Sequence, residues 1–435
     1  MKQEKNAINL LARNEGPITR CLALAVRDLS WIPLAITVVC ACALSNNSSL
    51  AADWTQFRGL NGAGVSPETG LPTQWSATEG LRWKAELPGR GVSNPVIAGG
   101  RVYVTASSGY KENRLHVLAF DAASGKKLWE RSLWSTGQTQ CHPKTCMAAP
   151  TPVTDGKAVY ALFATTDLCA FDTDGNLLWY RSLVRDYPTI TNQVGMAASP
   201  ILYKDLVIVP MDNVGDSFLA GIDKKTGKNR WKAERPRDIC WTTPVLLERG
   251  DRADVLFQGA AVLTAFDAES GRISWEFKAK GLQIPSPVLN KQNILVPGRD
   301  LLCIKPPVAN ETPEVLWKTN KLQTGFGTHL VYEDRVYAVN DAGVLHCADA
   351  ADGKPVWQQR LQGPFDASAV GADGKIYLVN GEGTTFVVQT GKEPKILAKN
   401  ELKDTILATP AIADGAIYLR SDKHLYCIGD KKKPG

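Results

Sequence analysis

The stretch that decides the fold is Ala119-Phe-Asp121-Ala-Ala-Ser-Gly125-Lys-Lys-Leu-Trp129. A small residue, an Asp, a Gly and a Trp are spaced here by two, four and four positions. The spacing recurs in four other places: Gly221-Asp223-Gly227-Trp231, Ala265-Asp267-Gly271-Trp275, Cys347-Asp349-Gly353-Trp357 and, one residue shorter, Ala170-Asp172-Gly175-Trp179. The Asp and Gly predict a tight hairpin, because Asp accepts backbone N–H bonds and Gly tolerates positive φ. The Trp beyond the turn offers a flat surface for the neighbouring unit.

Tryptophans occupy one slot of this repeat along most of the chain. The slot residues are Trp83, Trp129, Trp179, Trp231, Trp275, Trp317 and Trp357, separated by 40 to 52 residues, and a further step of 40 reaches Leu397. A period of this length, built from segments that resemble strands, is typical of a β-propeller.

Other strand types repeat with the same count. First strands begin near Pro95, Pro152, Pro200, Pro244, Pro287, His329, Ala369 and Pro410, and each is followed by a β-branched or aromatic run such as Val102-Tyr103-Val104. We therefore predict an all-β, eight-bladed propeller of four-stranded antiparallel blades over residues 52–429. The last unit lacks a fourth strand and Trp83 precedes the first unit, so we expect residues 81–87 to close the ring.

Both ends of the chain lie outside the repeat. Residues 1–51 carry basic residues, an apolar run at 31–44 that is short for a membrane span, and small residues beyond it. This pattern predicts a signal peptide and an exported, periplasmic or envelope protein. The alternative is a lipoprotein leader with Cys42 modified, which would give membrane contact only through a lipid anchor.

Charge argues against a nucleic-acid partner. The net charge is only +6, no basic stripe with interleaved aromatic residues occurs, and residues 430–435 form a short basic tail that we interpret as a solvated end. We expect a monomer.

The cysteines divide into two groups. Cys303, Cys347 and Cys427 fall in the small-residue slot, and Cys169 lies beside it, which favours packing over disulfide formation. Cys141 and Cys146 lie outside the repeat, where a local disulfide and free thiols are both open. With His142 they supply too few ligands for a metal site, so we predict none.

Loop lengths predict a functional face. Turns between first and second strands and between third and fourth strands are short and share one face. The opposite face carries the longer segments 107–114, 135–147, 184–195 and 212–217. Binding groups concentrate on loops held by a rigid scaffold. The candidate ligand-face residues are His142, Lys144, Arg185, Asp186, Tyr187, Asn192, Gln193, Asp212, Asn213, Asp216, Arg237 and Asp238.

Aromatic side chains on or near these loops suggest a further alternative. Trp134, Tyr187 and Trp241 could stack against sugars, which would make the face a polysaccharide-binding surface. Ordinary packing of the same rings is the competing interpretation.

The repeat of Ala/Gly-x-Asp-x-x-x-Gly-x-x-x-Trp resembles the tryptophan-docking repeats of the pyrroloquinoline-quinone (PQQ) propeller superfamily. The opening Asp53-Trp-Thr-Gln-Phe-Arg-Gly-Leu-Asn-Gly62 is also similar to the start of exported bacterial PQQ-like repeat proteins. The resemblance implies one of two functions. Quinoprotein dehydrogenases bind PQQ and calcium on the ring axis, whereas relatives such as the propeller lipoprotein of the outer-membrane β-barrel assembly machine bind proteins.

The chain departs from the enzyme branch. It lacks an adjacent Cys-Cys pair and a Cys-x-x-Cys-His haem site, and its units leave little room for insertions over a cofactor. Carboxylates such as Asp186, Asp212 and Asp216 cannot be aligned to catalytic positions. We therefore expect a non-catalytic scaffold without a cofactor that binds a protein, small ligand or polysaccharide on the long-loop face. The alternative is a PQQ- and calcium-dependent dehydrogenase of alcohols or sugars.

Overall fold

Eight four-stranded antiparallel sheets, called blades below, make up the part of the chain described by the computed structural model, residues 53–191, 194–308 and 311–430. The predicted all-β, eight-bladed propeller is thus confirmed. The predicted leader (1–51, with Cys42), Asn192, Gln193 and residues 431–435 of the tail lie outside the described residues.

Within blades 1–7, four consecutive strands form each sheet. Blade 1 contains β2 (Val96–Ala98), β3 (Arg101–Ser108), β4 (Arg114–Asp121) and β5 (Lys127–Trp134), and blade 2 contains β6 (Val153–Thr154), β7 (Ala158–Leu162), β8 (Asp167–Asp172) and β9 (Leu177–Ser182). Blade 3 contains β10 (Ile201–Tyr203), β11 (Leu206–Met211), β12 (Phe218–Asp223) and β13 (Asn229–Glu234), and blade 4 contains β14 (Val245–Arg249), β15 (Arg252–Gln258), β16 (Val262–Asp267) and β17 (Ile273–Lys278).

The remaining strands follow the same plan. They are β18 (Val288–Asn290), β19 (Asn293–Val296), β20 (Leu301–Lys305), β21 (Glu314–Thr319) in blade 5; β22 (Leu330–Tyr332), β23 (Arg335–Val339), β24 (Val344–Asp349), β25 (Pro355–Arg360) in blade 6; β26 (Val370–Ala372), β27 (Lys375–Val379), β28 (Thr384–Gln389), β29 (Lys395–Glu401) in blade 7; and β30 (Ala411–Ala413), β31 (Ala416–Arg420), β32 (His424–Ile428) with β1 (Leu81–Glu86) in blade 8.

Burial explains the character of each strand. Second and third strands are covered on both sides by neighbouring blades, so β11 is buried at every position. Fourth strands face solvent on one side, and in β13 intermediate and exposed residues alternate. Helices are short: Leu183–Asp186 is α-helical, while Leu60–Gly62 and Tyr110–Glu112 are 3-10 turns. Among the described residues, no helix combines the length and apolar character needed to cross a bilayer.

The amino-terminal strand closes the ring as predicted. β1 pairs antiparallel with β32, with Trp83 opposite Cys427 and Glu86 opposite His424. Because β1 supplies the fourth strand of blade 8, that blade gains the outer strand that its own sequence lacks.

Five of the seven repeat tryptophans pack on the glycine in the turn of the next blade. Trp83 Nε1 donates to the Ala122 carbonyl at 2.9 Å. A Cβ on Gly125, whose φ is +70°, would lie 2.5 Å from the Trp83 ring. The same ring-on-glycine contact joins Trp129 to Gly175, Trp179 to Gly227, Trp231 to Gly271 and Trp317 to Gly353. In these five turns the glycine therefore permits both the positive φ of the backbone and the close approach of the indole ring.

The cysteines of the small-residue slot are core residues. Cys303, Cys347 and Cys427 have no exposed surface, and Cys169 is equally buried, which confirms the packing interpretation. Cys141 and Cys146 are free thiols, so the disulfide alternative is not formed in this structure. Cys146 packs into a hydrophobic cluster with Met147 and Ala148, and burial raises the pKa of its thiol to about 12.

Candidate functional site

A ring of hydrogen bonds surrounds the propeller axis. Two residues before each blade's first strand lies a hydroxyl or amide side chain that accepts the backbone N–H of its counterpart in the preceding blade, at 2.9 to 3.2 Å. The members, in order, are Asn94, Thr151, Ser199, Thr243, Ser286, Thr328, Ser368 and Thr409. Because each Ser or Thr hydroxyl oxygen accepts a backbone N–H in this ring, its own O–H group remains able to donate to another acceptor.

These residues line a cavity of about 390 Å³ on the axis. Its other lining side chains are mainly apolar: Phe57, Val92, Ala149, Val194, Ala197, Trp241, Ile284, Phe326 and Leu407. A cavity of this size, apolar with a few convergent polar groups, has the character of a small-ligand pocket.

A strap formed by residues 53–75 crosses the tight-turn face beneath this cavity. Trp54 pairs with Ile97 of blade 1, the Thr55 carbonyl accepts the Thr154 N–H of blade 2, and the Gly64 carbonyl accepts the Gly371 N–H of blade 7. The strap thereby joins blade 7 to blades 1 and 2 past the intervening blade 8. Phe57, which belongs to the strap, lines the cavity.

Arg58 anchors the strap beside Phe57. Its guanidinium is buried and donates to the carbonyls of Thr328, His329 and Ala369 in addition to two carbonyls of the strap itself. Burial lowers the pKa of Arg58 to about 9. Because all its donors meet carbonyl oxygens, the buried cation is solvated by backbone dipoles rather than by a carboxylate.

Long loops bring charged groups to the opposite end of the cavity. His142 and Lys144, both predicted from the sequence, line it together with Asp366. Lys144 Nζ lies 2.9 Å from Asp366 Oδ1, which joins the loop after blade 1 to the loop before β26. Lys144 also lies 4.8 Å from the centre of the Phe326 ring. The Lys144 side chain is 49% exposed, so this ion pair is a weak contact.

Other predicted residues lie away from the axis. Arg185, Asp186 and Tyr187 line a shallow depression between the outer strands of blades 2 and 3. Asp186 pairs there with Arg181 at 2.7 Å, and the Tyr187 hydroxyl accepts a bond from Asn229 at 2.8 Å.

Segment 212–217 turns Asp212 and Asn213 inward and leaves Val214 exposed. Asp212 forms a buried pair with Arg235, at 2.7 and 2.9 Å, and burial raises the pKa of its carboxyl. Asn213 is also buried, and its amide nitrogen donates to the carbonyls of Met211 and Asp216.

Arg237 and Asp238 are exposed, and neither lines the cavity. Together with Asp212 and Asn213 they therefore form no common pocket with His142 and Lys144. The sequence did carry a signal for the ring that we missed, because a Ser, Thr or Asn directly precedes every first-strand landmark from Pro95 to Pro410.

The donor set of the cavity does not fit PQQ with calcium. Calcium takes six to eight oxygen ligands, several of them carboxylates. Asp366 is the one carboxylate among the described residues that line the cavity, and it is paired with Lys144. The described chain also contains no group of three or more His, Cys, Asp or Glu residues arranged to hold a metal ion. Trp241 offers a ring toward the cavity, but its Nε1 already donates to the Gly195 carbonyl at 3.0 Å.

Comparison with known proteins agrees with this geometry at the level of fold. The family described as outer membrane protein assembly factor BamB matches residues 65–209, 152–239 and 307–394. The crystal structure of BamB from Moraxella catarrhalis superposes with a TM-score of 0.60 at 13% identity, covering 82% of this chain and 98% of that one. A europium-containing methanol dehydrogenase superposes with a TM-score of 0.67 at 12% identity, covering 87% and 98%.

One relative found by sequence comparison carries the name of an enzyme. Polyvinylalcohol dehydrogenase from Pseudomonas sp. is 21% identical over 353 residues, which is 70% of this chain and 50% of that protein. The chain thus spans half the length of this relative. At these identities the similar structures establish the propeller fold, which scaffolds and dehydrogenases share.

Proposed function

We propose a function from the premise that this chain belongs to the family of outer membrane protein assembly factor BamB. The protein is an exported binding scaffold that holds a partner protein or ligand on its long-loop face, with the axial cavity at the centre of that face. It does not carry out the cofactor-dependent oxidation of the dehydrogenases that share its fold.

The observation that carries this proposal is the construction of the cavity. Hydroxyl groups surround it, apolar side chains fill its wall, and Phe57 of the strap lies at one end while Lys144 and Asp366 lie at the other. Such a pocket can hold an apolar group and satisfy a few of its polar atoms. It offers too few carboxylates for a calcium-bound quinone.

Site-specific photo-cross-linking in the cell envelope tests the scaffold. A benzoylphenylalanine at Val214, which is 43% exposed on the long-loop face, is compared with one at Lys225, exposed on the tight-turn face. We expect a discrete adduct from Val214 and none from Lys225. Adducts from Lys225 alone would place binding on the wrong face and overturn the proposal.

A second pair of variants tests the cavity itself. Ala197→Trp fills it from the wall without altering the hydrogen-bonded ring, and Ala123→Trp adds the same bulk to an exposed turn. If the partner is a protein, we expect Ala197→Trp to abolish the Val214 adduct. If it is a small molecule, we expect native mass spectrometry of Ala197→Trp to show no retained ligand. Ala123→Trp should leave both unchanged. Equal binding by the two variants would show that binding does not require the axial cavity.

The sequence match to polyvinylalcohol dehydrogenase favours a second candidate, a PQQ-dependent dehydrogenase of alcohols. The measurement that decides is dye reduction by purified protein supplied with PQQ, calcium and a panel of alcohols and sugars. Turnover that requires PQQ would replace the scaffold with this candidate.

A further inference from the structure

Three polar side chains form a connected line across blade 1, and none of them lines the axial cavity. Ser108 ends β3, His116 lies in β4 and Glu130 lies in β5. Ser108 Oγ is 2.7 Å from His116 Nε2, and His116 Nδ1 is 2.9 Å from Glu130 Oε1. These are the two contacts that join nucleophile, base and orienting carboxylate in serine hydrolases.

Hydrogen-bond chemistry fixes the arrangement of protons. An ionised carboxylate can only accept, so the proton of the neutral imidazole lies on Nδ1 and the lone pair of Nε2 faces the Ser108 hydroxyl. Burial lowers the pKa of His116 despite its contact with Glu130. Partial burial acts to raise the pKa of Glu130, but Lys127, 2.6 Å away, and His116 together hold it below its usual value. At neutral pH a neutral His116 therefore faces an ionised Glu130.

Internal comparison of the blades argues against a purely structural requirement. The position of His116, three residues before the small-residue slot, is held by apolar residues in blades 3, 4 and 6 and by polar residues in blades 2, 5, 7 and 8. The apolar residues are Phe218, Val262 and Val344, and the polar ones are Asp167, Asp300, Thr384 and His424. The fold thus accepts an apolar side chain at this point. His116 of blade 1 has only 7% of its surface exposed, and its two ring nitrogens contact Ser108 and Glu130. His424 of blade 8 contacts a carboxylate through Nδ1 as well, that of Asp404 at 2.8 Å.

The surroundings of Ser108 supply the other groups that acyl chemistry needs. Arg114 lies directly opposite Ser108 in the β3–β4 register, and its guanidinium carbon is 4.7 Å from the centre of the Trp134 ring. Ser108 is partly exposed and Trp134 is 63% exposed. Arg114 Nη2 donates to Ser132 Oγ at 2.8 Å in this structure. A guanidinium that turns from this contact toward the reacting carbonyl can stabilise a developing oxyanion. The open indole face can receive an apolar or aromatic group.

We infer that blade 1 carries a hydrolytic site that acts on carboxylic esters with an apolar or aromatic alcohol portion. Ser108 is the nucleophile, His116 the general base and acid, Arg114 the electrostatic stabiliser and Glu130 a positioning residue. This activity is additional to the proposed binding function and does not depend on it.

The reaction has two balanced steps. Ser108 Oγ forms a bond to the acyl carbon as its proton passes to His116 Nε2, and the C–O bond to the alcohol breaks as the alcohol takes that proton. Water then attacks the acyl carbon and gives a proton to His116. The bond between the acyl group and Ser108 breaks, the carboxylic acid leaves, and Ser108 regains its proton.

Covalent labelling tests the nucleophile directly. The full chain is treated with a fluorophosphonate probe and assayed with 4-nitrophenyl acetate, and the adduct is located by peptide mass spectrometry. We expect the adduct on Ser108, and Ser108→Ala should lose it together with about 100-fold or more of kcat/KM. Ser124→Ala removes an exposed turn serine of the same blade and should change neither. A wild-type protein that takes no adduct at Ser108, or a Ser108→Ala variant with wild-type turnover, overturns the inference.

The positioning role of Glu130 has its own readout. The groups facing His116 are Glu130, Arg114 and Lys127. Wild-type turnover should fall on acidification as His116 becomes protonated. Glu130→Gln should lower kcat, keep KM and move this pH profile, and Glu130→Asp should recover part of the rate. Unchanged pH profiles in both variants, with a lower melting temperature alone, would show that Glu130 only stabilises the blade.

Discussion

Thr409 donates its backbone N–H to Asn94 Oδ1 at 3.2 Å, across 315 residues of sequence. This bond completes the axial ring, because the other seven steps each join a blade to its neighbour through a Ser or Thr oxygen. The circle of eight blades is therefore closed at two places, near the axis by the Asn94 bond and at the outer edge by strand β1. The inner closure joins the same two blades, 8 and 1, that the Trp83 ring joins further out.

Asn94→Ala should destabilise the propeller, because it leaves the buried Thr409 N–H without an acceptor. An unsatisfied buried donor costs about 1–3 kcal/mol. Asn94→Ser is the matched control, since it restores the hydroxyl found at the equivalent position of other blades, and it should recover part of the loss. Urea unfolding followed by fluorescence measures both. Equal stability of Asn94→Ala and wild type would show that the closing bond contributes nothing.

Gly125→Ala should be more harmful than Gly156→Ala, although both glycines have positive φ, +70° and +78°. A Cβ at Gly156 meets nothing within 4 Å, whereas one at Gly125 lies 2.5 Å from the Trp83 ring. The left-handed conformation costs an alanine about 1–2 kcal/mol, and overpacking adds about 1–3 kcal/mol at Gly125. Thermal unfolding of the two variants compares them. Similar losses would mean that the indole moves away without penalty.

Features that follow from spacing along the chain could be predicted, whereas the axial ring and the anchor of the strap could not. The Trp slot, the small-residue slot and β1 follow from spacing along the chain, so they could be identified without coordinates. The axial ring uses the residue two positions before each first strand, and a Ser or Thr before a Pro has ordinary local roles in turns. Its meaning emerges only when the blades place Asn94 and Thr409 side by side. The strap residue Arg58 is equally hidden, because its partners Thr328 and Ala369 are distant in sequence.

Loops were the least predictable part. Asp212 was expected on the ligand face because it lies in a long link, but the link folds inward and the carboxylate pairs with Arg235. Lys144 and His142 do line the axial cavity, because segment 135–147 extends toward the axis. Loop length alone does not distinguish these two outcomes.

Stability should fall between about pH 6.5 and pH 4 partly because of His329. Burial lowers its pKa to about 4, its Nε2–H donates to the Leu322 carbonyl at 2.9 Å, and the cation facing it is Arg58. The folded pKa is below the unfolded value near 6.5. The neutral ring therefore favours folding above pH 6.5, and that contribution is lost as the pH falls through the folded pKa, by at most about 1.4 kcal/mol per pH unit.

His329→Gln should flatten this pH dependence, because the amide can still donate to Leu322 without taking up a proton. His142→Gln, at an exposed position, is the control and should leave the slope unchanged. Urea unfolding at a series of pH values measures the slope. A His329→Gln variant with the wild-type slope would assign the acid sensitivity to other groups.

The Asp212–Arg235 pair should behave as a structural unit rather than as a ligand site. Their side chains are 4% and 1% exposed, and the guanidinium carbon lies 4.0 Å from the centre of the Phe257 ring. Removing either partner leaves a buried charge without compensation, which costs about 3–5 kcal/mol. Asp212→Ala and Arg235→Ala should therefore each lower stability strongly. The double variant should lose much less than the sum, because neither charge remains.

An exposed pair calibrates this double-mutant cycle. Lys204 and Glu269 are 55% and 56% exposed and lie 3.0 Å apart, so Lys204→Ala should leave stability nearly unchanged and show little coupling to Glu269→Ala. The coupling energies come from urea unfolding of all the variants. If Asp212→Ala instead kept full stability while abolishing the cross-link from Val214, Asp212 would belong to the binding face after all. A large coupling energy between Asp212→Ala and Arg235→Ala would instead show that Asp212 holds segment 212–217 against blade 3. Such coupling arises only when each charge depends on its buried partner.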